Sequence, residues 1–289
     1  MPPIQYIQKQ DIPERLLRIY PPLRHLYCCG KIPDLKAYKC LVVIGSRKSS
    51  TYGEMVCQKI IKDLQGYPII IISGLALGID SIAHETALEN NLLTIAVPGS
   101  SLDERNIYPK TKLPLAKRIV ESGGCLLSEY SSNDTTGPWV FPERNRIMAG
   151  LGDAVLVVEA TKKSGTSITA RLALDFNKEV LAVPGSIFSP LSEGPHYLIQ
   201  QGAVPVRNAR DVIEALGLEW EEPTSENQQS LFKSCSSEEK KLLSFLPNTR
   251  DELARLLSKP MQEIQMNLSL LEIKGLIKQD AGMILLFTH

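Results

Sequence analysis

Short runs of apolar, mostly β-branched residues alternate with helix-length amphipathic segments from residue 40 onward. This alternation is typical of βαβ units, in which a covering helix joins each strand to the next parallel strand. We therefore predict an α/β fold with a doubly wound, mostly parallel sheet. The predicted strands are residues 40–44, 69–72, 94–97, 125–127, 154–158, 180–183 and 204–206.

Composition divides the chain into four segments. Residues 1–39 contain six prolines, which break long helices, so we expect a wrapping arm at the periphery of the fold. Residues 40–218 hold the alternating strands and helices. Residues 219–236 are rich in Glu, Ser, Gln and Asn, which is typical of a flexible linker, and residues 237–289 are predicted to form a small second domain.

The second domain has three helical segments followed by an apolar tail, an order that predicts a winged helix. Between residues 236 and 289 seven basic residues balance seven acidic ones. A DNA-reading helix usually supplies several Lys or Arg side chains to phosphates, whereas the third helical segment, residues 261–274, carries Lys274 alone. For this domain we favour protein contact or support of a dimer over recognition of DNA.

The charges and cysteines of the whole chain restrict its partners. The 32 basic residues equal the 32 acidic ones, so any site for an anion must be local. The six cysteines form no Cys-x-x-Cys pair and no cluster that could hold a metal, which indicates a reduced, cytoplasmic protein without a metal or another cofactor. No apolar run approaches the roughly 20 residues of a membrane-spanning helix, so we expect no membrane contact.

The loop after the first predicted strand has the composition of an anion site. It reads GSRKSSTYG, residues 45–53, and lies at the rim where a doubly wound sheet binds its ligands. Small residues let backbone amides approach a phosphate, Arg47 adds a fork of donors, and the next helix offers its positive N-terminus. Gly45, Ser46 and Arg47 are therefore candidates for phosphate binding. The alternative is a tight turn with a surface arginine; the loop matches neither GxGxxG nor GxxxxGK(S/T).

The loop after the second strand, SGLALGID, residues 73–80, is again rich in small residues. Ser73 and Gly74 join the candidate site because their backbone can approach a ligand at the same rim. Asp80 is predicted to cap the next helix. His84 follows one turn later and could act as a general base, although a single histidine on a helix is more often structural.

A mixture of aromatic and basic residues marks the loop after the fourth strand, PWVFPERNR, residues 138–146. Single-stranded nucleic acid is bound by such mixtures, because aromatic faces stack on bases at about 1–3 kcal/mol each and guanidinium groups pair with the backbone. Trp139 is either a base platform or a core anchor. The candidate contacts in this loop are Phe141, Arg144, Asn145 and Arg146.

Two further rim loops carry candidates. After the fifth strand the segment VEATKKSGTSITA, residues 158–170, offers a second place for phosphate at a helix N-terminus. Its candidate residues are Lys163, Ser164, Gly165 and Thr166. In the loop after the third strand Tyr108 is a candidate for base stacking, against the alternative of simple loop packing.

The motifs GSRKSSTYG, SGLALGID, FPERNRIMAGLGDAVLVVEA, KSGTSITA and VPGS, taken in this order, resemble the DprA/Smf family of DNA-processing proteins over about residues 11–218. The resemblance implies an extended Rossmann-like fold and a non-enzymatic protein that binds and protects incoming single-stranded DNA. It also implies a homodimer that helps load the RecA recombinase during natural transformation. The phosphate-binding arginine of the family corresponds to Arg47, and its basic and aromatic loop corresponds to Phe141, Arg144 and Arg146.

The chain departs from the longer members of that family in two places. About 39 residues precede the first central strand, so functions of an N-terminal helical domain are not transferred to it. A basic residue that some members carry just before the loop aromatic has no counterpart, since Pro138 and Val140 stand there. The C-terminal winged helix resembles the one found in many members.

Two other function classes stay open. A nucleotide-processing enzyme of the phosphoribohydrolase type uses a similar phosphate loop with an arginine and a glutamate, and Glu129 and Glu159 lie at strand ends where they could serve. The chain lacks the PGGxGT loop typical of that group, of which SGT at residues 164–166 is a fragment. A transcriptional regulator would use the winged helix on duplex DNA, which the third helical segment with its single lysine does not favour.

Overall fold

The computed structural model describes residues 1–134, 137, 139–162, 164–220, 236–273, 276–280 and 283–286. The chain divides into two units, Met1–Trp220 and Glu221–His289. The hydrophobic clusters described for the two units share no residue, so each unit has its own core. Most of the predicted linker, residues 219–236, lies outside the described residues.

Within its described residues the larger unit contains one nine-stranded sheet. Its strands are β1 (Gln5–Tyr6), β2 (Tyr27–Gly30), β3 (Lys39–Ile44), β4 (Ile69–Ser73), β5 (Thr94–Ala96), β6 (Cys125–Ser128), β7 (Ala154–Val157), β8 (Glu179–Ala182) and β9 (Val204–Pro205). The order is β1-β2-β6-β5-β4-β3-β7-β8-β9, and every neighbouring pair from β6 to β9 is parallel. All seven predicted strands are present, with ends within one residue of those expected.

The central strands are buried on both faces. In β3, Cys40 and Val42 belong to one hydrophobic cluster, whereas Leu41 and Val43 belong to another. Successive side chains of a strand point to opposite faces, so a strand covered on both sides has to be a continuous apolar run. This is why the strands could be read from the sequence as uninterrupted apolar segments.

Helices cover both faces of this sheet. They are α1 (Thr51–Asp63), α2 (Ile79–Glu89), α3 (Leu113–Glu121), α4 (Val140–Leu151), α5 (Gly165–Asp175), α6 (Glu193–Gln200) and α7 (Ala209–Ala215). Helices α1, α2 and α7 pack on the face of Leu41, while α4 and α5 pack on the face of Val42. The predicted doubly wound fold is confirmed. None of the helices in the described part of the chain is both long and apolar enough to cross a lipid bilayer.

The connection between β6 and β7 creates the crevice of the fold. The six strands β5-β4-β3-β7-β8-β9 follow the order 3-2-1-4-5-6 of a dinucleotide-binding sheet. The chain runs outward from β3 to β6 and then returns to place β7 on the other side of β3. The loops that leave β3 and β7 therefore diverge, and ligands of such sheets bind between them.

The N-terminal arm pairs with the edge of the sheet, which the prediction of a peripheral wrapping arm does not include. Strand β2 pairs antiparallel with β6, and β1 pairs with β2, so the arm extends the sheet. Leu16 and Ile19 belong to the main core cluster. The Arg15 guanidinium donates to the Asp153 carboxylate at 2.7 Å and to the Leu151 carbonyl at 3.0 Å. The prolines exclude a long helix, but they leave room for short extended segments that pair with the sheet.

The smaller unit is a winged helix, as predicted. Its elements are α8 (Ser237–Leu243), β10 (Asn248–Thr249), α9 (Arg250–Leu257), α10 (Met261–Ile273), β11 (Ile277–Asp280) and β12 (Met283–Leu286). The spacing predicts a buried face of Met261, Ile264, Leu268 and Leu271 in this helix. Helix α10 buries the last three, whereas Met261 is 42 % exposed. The same helix exposes Met266 by 60 % of its surface. Lys274, the basic residue of the third predicted helix, lies outside the described residues.

The position of the arm can be tested with two neighbouring leucines. Leu16→Ala should lower the free energy of unfolding of the larger unit by about 2–5 kcal/mol, because it leaves a cavity in the core. Leu17→Ala is the matched control and should change that free energy by less than about 0.5 kcal/mol, because Leu17 is 55 % exposed and Leu16 only 1 %. Urea unfolding followed by tryptophan fluorescence measures both, and equally small effects would return the arm to the periphery.

Candidate nucleic-acid interface

A cleft of about 410 Å³ opens at the crevice between the loops that follow β3 and β7. The N-terminal parts of α4 and α5 and the loop before α2 complete its walls. The structure therefore brings together loops that lie more than 100 residues apart in the sequence. The predicted contact residues that line the cleft are Gly45, Ser46, Arg47, Phe141, Arg144, Asn145, Ser164, Gly165 and Thr166.

Ser73 and Gly74 do not line the cleft, contrary to expectation. The Ser73 side chain is fully buried, and its hydroxyl donates to the Val43 carbonyl at 2.6 Å. The Gly74 N–H donates to the Asp80 carboxylate at 3.1 Å. Both residues support the rim from below rather than reach a ligand. Lys163 lies outside the described residues.

Arg146 also points away from the cleft. Its guanidinium donates to the Glu129 carboxylate at 2.5 Å and to the Pro21 carbonyl at 2.6 Å. Two positions along a helix rotate a side chain by about 200°, so Arg144 and Arg146 cannot share one face of α4. Arg146 therefore fastens the N-terminal arm to the end of β6, and its predicted contact with the DNA backbone is not supported by the geometry.

Arg144 forms part of the floor of the cleft. Only 5 % of its surface is exposed, and its guanidinium donates to the Gly74 carbonyl at 2.6 Å and to the Val97 carbonyl. Burial lowers the pKa of Arg144 to about 10, and the nearby Asp80 carboxylate opposes this shift. The side chain stays charged at neutral pH. Arg144 thus joins the ends of β4 and β5 and places a positive charge beneath the cleft.

The sequence predicts that Asp80 caps α2, but the structure does not show this cap. The helix begins after Gly78, and Asp80 uses its carboxylate to hold the N–H of Gly74. Burial raises the pKa of Asp80, while the Arg144 charge lowers it. Gly78 has φ = +71°, and a Cβ on it would clash with the Ser46 carbonyl oxygen. The loop before α2 therefore packs directly on the loop after β3, which fixes the backbone of the candidate phosphate loop.

The N-terminus of α1 is not free to bind a phosphate, and this part of the prediction is wrong. Ser50 caps the helix by accepting a hydrogen bond from the Gly53 N–H at 3.1 Å. The Glu159 carboxylate accepts from the Ser50 N–H at 2.9 Å and from its hydroxyl at 2.5 Å. An internal carboxylate thus takes the place of an external anion at the positive end of the helix.

The N-terminus of α5, in contrast, faces the cleft. Its N-cap is Ser164, whose side chain caps none of the N–H groups among the residues that the structure describes. The Thr166 hydroxyl donates to the Gly45 carbonyl at 3.3 Å and so joins the helix to the loop after β3. The first turn of a helix has backbone N–H groups without intrahelical acceptors, and these are suited to an anion.

Aromatic rings gather around Arg47 at the mouth of the cleft. The Arg47 guanidinium carbon lies 4.9 Å from the centroid of the Phe141 ring, within the range of a cation–π contact. The Tyr108 ring lies 5.9 Å from that of Phe141 at an angle of 54°. A Cβ on Gly99 would lie 2.5 Å from Cδ1 of Phe141, so the ring packs on this backbone. Trp139 is 57 % exposed, which removes the alternative of a core anchor.

Two protein-family models match this chain. Residues 4–217 match DNA recombination-mediator protein A, and residues 236–283 match the DprA winged helix domain. The chain belongs to the DprA/Smf family. Protein Smf of Escherichia coli K12 is 39 % identical over 267 residues, which cover 89 % of this chain and 70 % of that protein. DNA processing protein DprA of Bacillus subtilis is 37 % identical over 210 residues, covering 73 % and 70 %.

Solved DprA structures agree with this assignment. DNA processing protein A of Streptococcus pneumoniae has a TM-score of 0.68 at 37 % identity, covering 75 % of each chain. The protein of Helicobacter pylori has a TM-score of 0.66 at 30 % identity, covering 74 % of this chain and 95 % of that one. The structural work on the H. pylori protein concerns its single-stranded DNA binding mode.

The two carboxylates that an enzyme of the phosphoribohydrolase type would need are engaged in this DprA/Smf protein. Glu129 accepts hydrogen bonds from Arg146 and from the Arg24 N–H at 3.3 Å. Glu159 accepts two from Ser50. Neither glutamate is among the residues that line the cleft. A catalytic carboxylate has to reach its substrate, so this geometry weighs against the enzyme hypothesis.

His84 is structural rather than a general base. The side chain is fully buried, and its Nδ1 lies 2.7 Å from the Thr94 hydroxyl. That hydroxyl donates to the Ile71 carbonyl at 2.8 Å, so Nδ1 is assigned as the protonated nitrogen. Among the described residues Nε2 has no hydrogen-bond partner. Burial lowers the pKa of His84 to about 3, so the ring is neutral at physiological pH.

The buried histidine predicts a pH dependence of stability. The unfolded chain takes up a proton on His84 below its ordinary pKa of 6.5, whereas the folded protein does so only near pH 3. The free energy of unfolding therefore falls as the pH drops through this window. Between pH 7.5 and 5.5 the native chain should lose about 1.4 kcal/mol more than His84→Asn. Urea titrations at the two pH values measure the difference, and equal losses would contradict a neutral buried ring.

Proposed function

We propose that this DprA/Smf protein binds single-stranded DNA in the cleft between the loops after β3 and β7, without catalysing a reaction on it. The observation that carries the proposal is the exposed Arg47 beside the aromatic rings of Phe141 and Tyr108, next to the N-terminus of α5. A cationic groove with aromatic side chains is the combination that binds single strands. Family membership and the H. pylori protein's single-stranded DNA binding mode support the same conclusion.

The aromatic rings favour a single strand over a duplex. In a duplex the faces of the bases are stacked on one another, whereas a single strand can present them to protein side chains. Tyr108 exposes 55 % of its surface, and Trp139 exposes 57 %. Exposed rings would gain nothing from a duplex whose base faces are already covered.

Local charge supports an anionic ligand in a chain that is neutral overall. The charged residues that line the cleft are Arg47, Arg144 and Asp80, which gives two positive charges against one negative. Since Arg144 is committed to backbone carbonyls, Arg47 and the first turn of α5 are the groups that remain for a phosphate among the described residues that line the cleft. We expect few phosphate contacts and a correspondingly shallow salt dependence.

The biological role that we propose is the one implied by membership of the DprA/Smf family. We infer that the protein protects incoming single strands in the cytoplasm and helps load the RecA recombinase on them. A cleft that is open to solvent supports this inference, because a strand held there keeps its remaining nucleotides accessible to a second protein.

Replacing Arg47 tests the site. Arg47→Ala should weaken binding of single strands of any sequence and reduce the slope of log affinity against log salt by about one, because a phosphate contact carries no base information. Fluorescence anisotropy with a labelled oligonucleotide across a salt series measures both quantities. The variant should also lower RecA-dependent strand exchange on the same oligonucleotide.

Arg18→Ala is the matched control for this experiment. It removes the same positive charge from a side chain that is 84 % exposed. Arg18 lies near residues that precede β3 and β8, so it is at the end of the sheet opposite to the cleft. Its binding should equal that of the native chain. Equal losses in the two variants, or an unchanged salt slope in Arg47→Ala, would remove Arg47 from the site.

We further propose that the implied homodimer forms at the β9 edge of the sheet. Ile187 and Phe188, in the loop after β8, are 82 % and 90 % exposed, and β9 is the last strand on that side. Exposed apolar side chains and the open edge of a strand are both typical of protein interfaces. A second copy with the same edge would cover both surfaces in a two-fold contact.

Phe188→Ser tests this interface. Loss of a central aromatic contact should raise the dimer dissociation constant at least about tenfold, as expected for the removal of a dominant interface residue. Tyr20→Ser is the control, because Tyr20 is 78 % exposed on another part of the surface. Sedimentation equilibrium measures both. A dimer that is unaffected by Phe188→Ser would place the interface elsewhere.

A further inference from the structure

Two aromatic residues near the cleft differ in how much of their surface is available to a base. Phe141 is half-buried, whereas Tyr108 is 55 % exposed. The sequence motif singles out Phe141, because it stands in one segment with Arg144 and Asn145; the sequence predicts a loop here, but the structure places all three residues in α4. The geometry gives the two rings different tasks.

The surroundings of Phe141 leave little of its ring for stacking. The Arg47 guanidinium lies over the ring at 4.9 Å from its centroid. The Cδ1–Cε1 edge packs on the backbone of Gly99, where a Cβ would lie 2.5 Å and 2.7 Å from these two atoms. Tyr108 lies against another side at 5.9 Å. A base that stacks on the face of Phe141 beneath Arg47 has to displace this guanidinium.

Tyr108 is held in place but its ring is exposed. The preceding residue, Ile107, is 1 % exposed in the core under α3 and anchors the segment. The Asn106 side chain donates to the Ser101 hydroxyl at 3.0 Å and to the Ser132 carbonyl at 3.2 Å. An aromatic side chain that is exposed on an anchored loop loses little conformational freedom when a base stacks on it.

A cation follows Tyr108 two residues along the same segment. Lys110 is exposed and has no salt bridge within the described part of the chain. The neighbouring lysines are paired, Lys112 with Glu85 at 3.1 Å and Lys117 with Glu104 at 2.7 Å. Tyr108 and Lys110 thus supply, two residues apart, the stacking ring and the cation that sites for single strands combine.

We propose that Tyr108, rather than Phe141, is the platform on which a DNA base stacks, and that Phe141 is a positioning residue that orients Arg47 toward a phosphate. The strand then leaves the Arg47 phosphate site across Tyr108 toward Lys110. This assignment rests on the proposed function, since it concerns the same bound strand.

The two tasks can be separated with a normal oligonucleotide and one that carries abasic sites. Tyr108→Ala should weaken binding of the normal strand at least about fivefold, because it removes a stacked base. It should leave binding of the fully abasic strand and the salt slope unchanged. Tyr108→Phe, which keeps the ring, should bind like the native chain, and so should Tyr6→Ala, an exposed tyrosine on β1.

Phe141→Ala should behave in the opposite way. It should weaken normal and abasic strands by the same factor and reduce the salt slope as Arg47→Ala does, because the guanidinium loses its support. A Phe141→Ala effect confined to the normal strand, with none in Tyr108→Ala, would overturn the assignment. A base-dependent loss in Trp139→Ala alone would assign the platform to Trp139 and also overturn it. If the native chain binds no single strand at all, the proposed function fails instead.

Discussion

The buried guanidinium of Arg144 holds the functional rim of this protein together. It bonds to carbonyls that follow β4 and β5, and Asp80 beside it holds the Gly74 N–H from the same loop. A buried charge is tolerated when hydrogen bonds and an opposite charge compensate for the loss of water. Separate loops are thereby fixed to one another, and the positions of Arg47 and Phe141 depend on that frame.

Helix N-termini are used in two different ways at the same rim. The positive end of α1 is satisfied from within by Ser50 and Glu159, whereas the positive end of α5 faces the open cleft. Both arrangements draw on the same unpaired backbone N–H groups. The first rigidifies the loop that presents Arg47, and the second leaves backbone N–H groups open to the cleft.

The sequence predicted the sheet well because its strands are buried on both faces and so appear as apolar runs without interruption. It missed β2, where Tyr27 and Gly30 interrupt the apolar pattern and the partner β6 lies almost 100 residues away. The candidate site was predicted to the level of loops. Which side chains reach the cleft depends on helix phase and on distant partners, as Arg146 and Glu159 show, and local motifs do not encode these.

The carboxylate at the start of α1 also determines what this crevice leaves alone. Dinucleotide-binding sheets of the same strand order hold a pyrophosphate at the N-terminus of the helix that follows their first strand. Here Glu159 fills that position and would repel the phosphates of a free nucleotide. The position that a dinucleotide would use at α1 is therefore closed to the phosphates of free nucleotides, while the start of α5 stays open to the cleft.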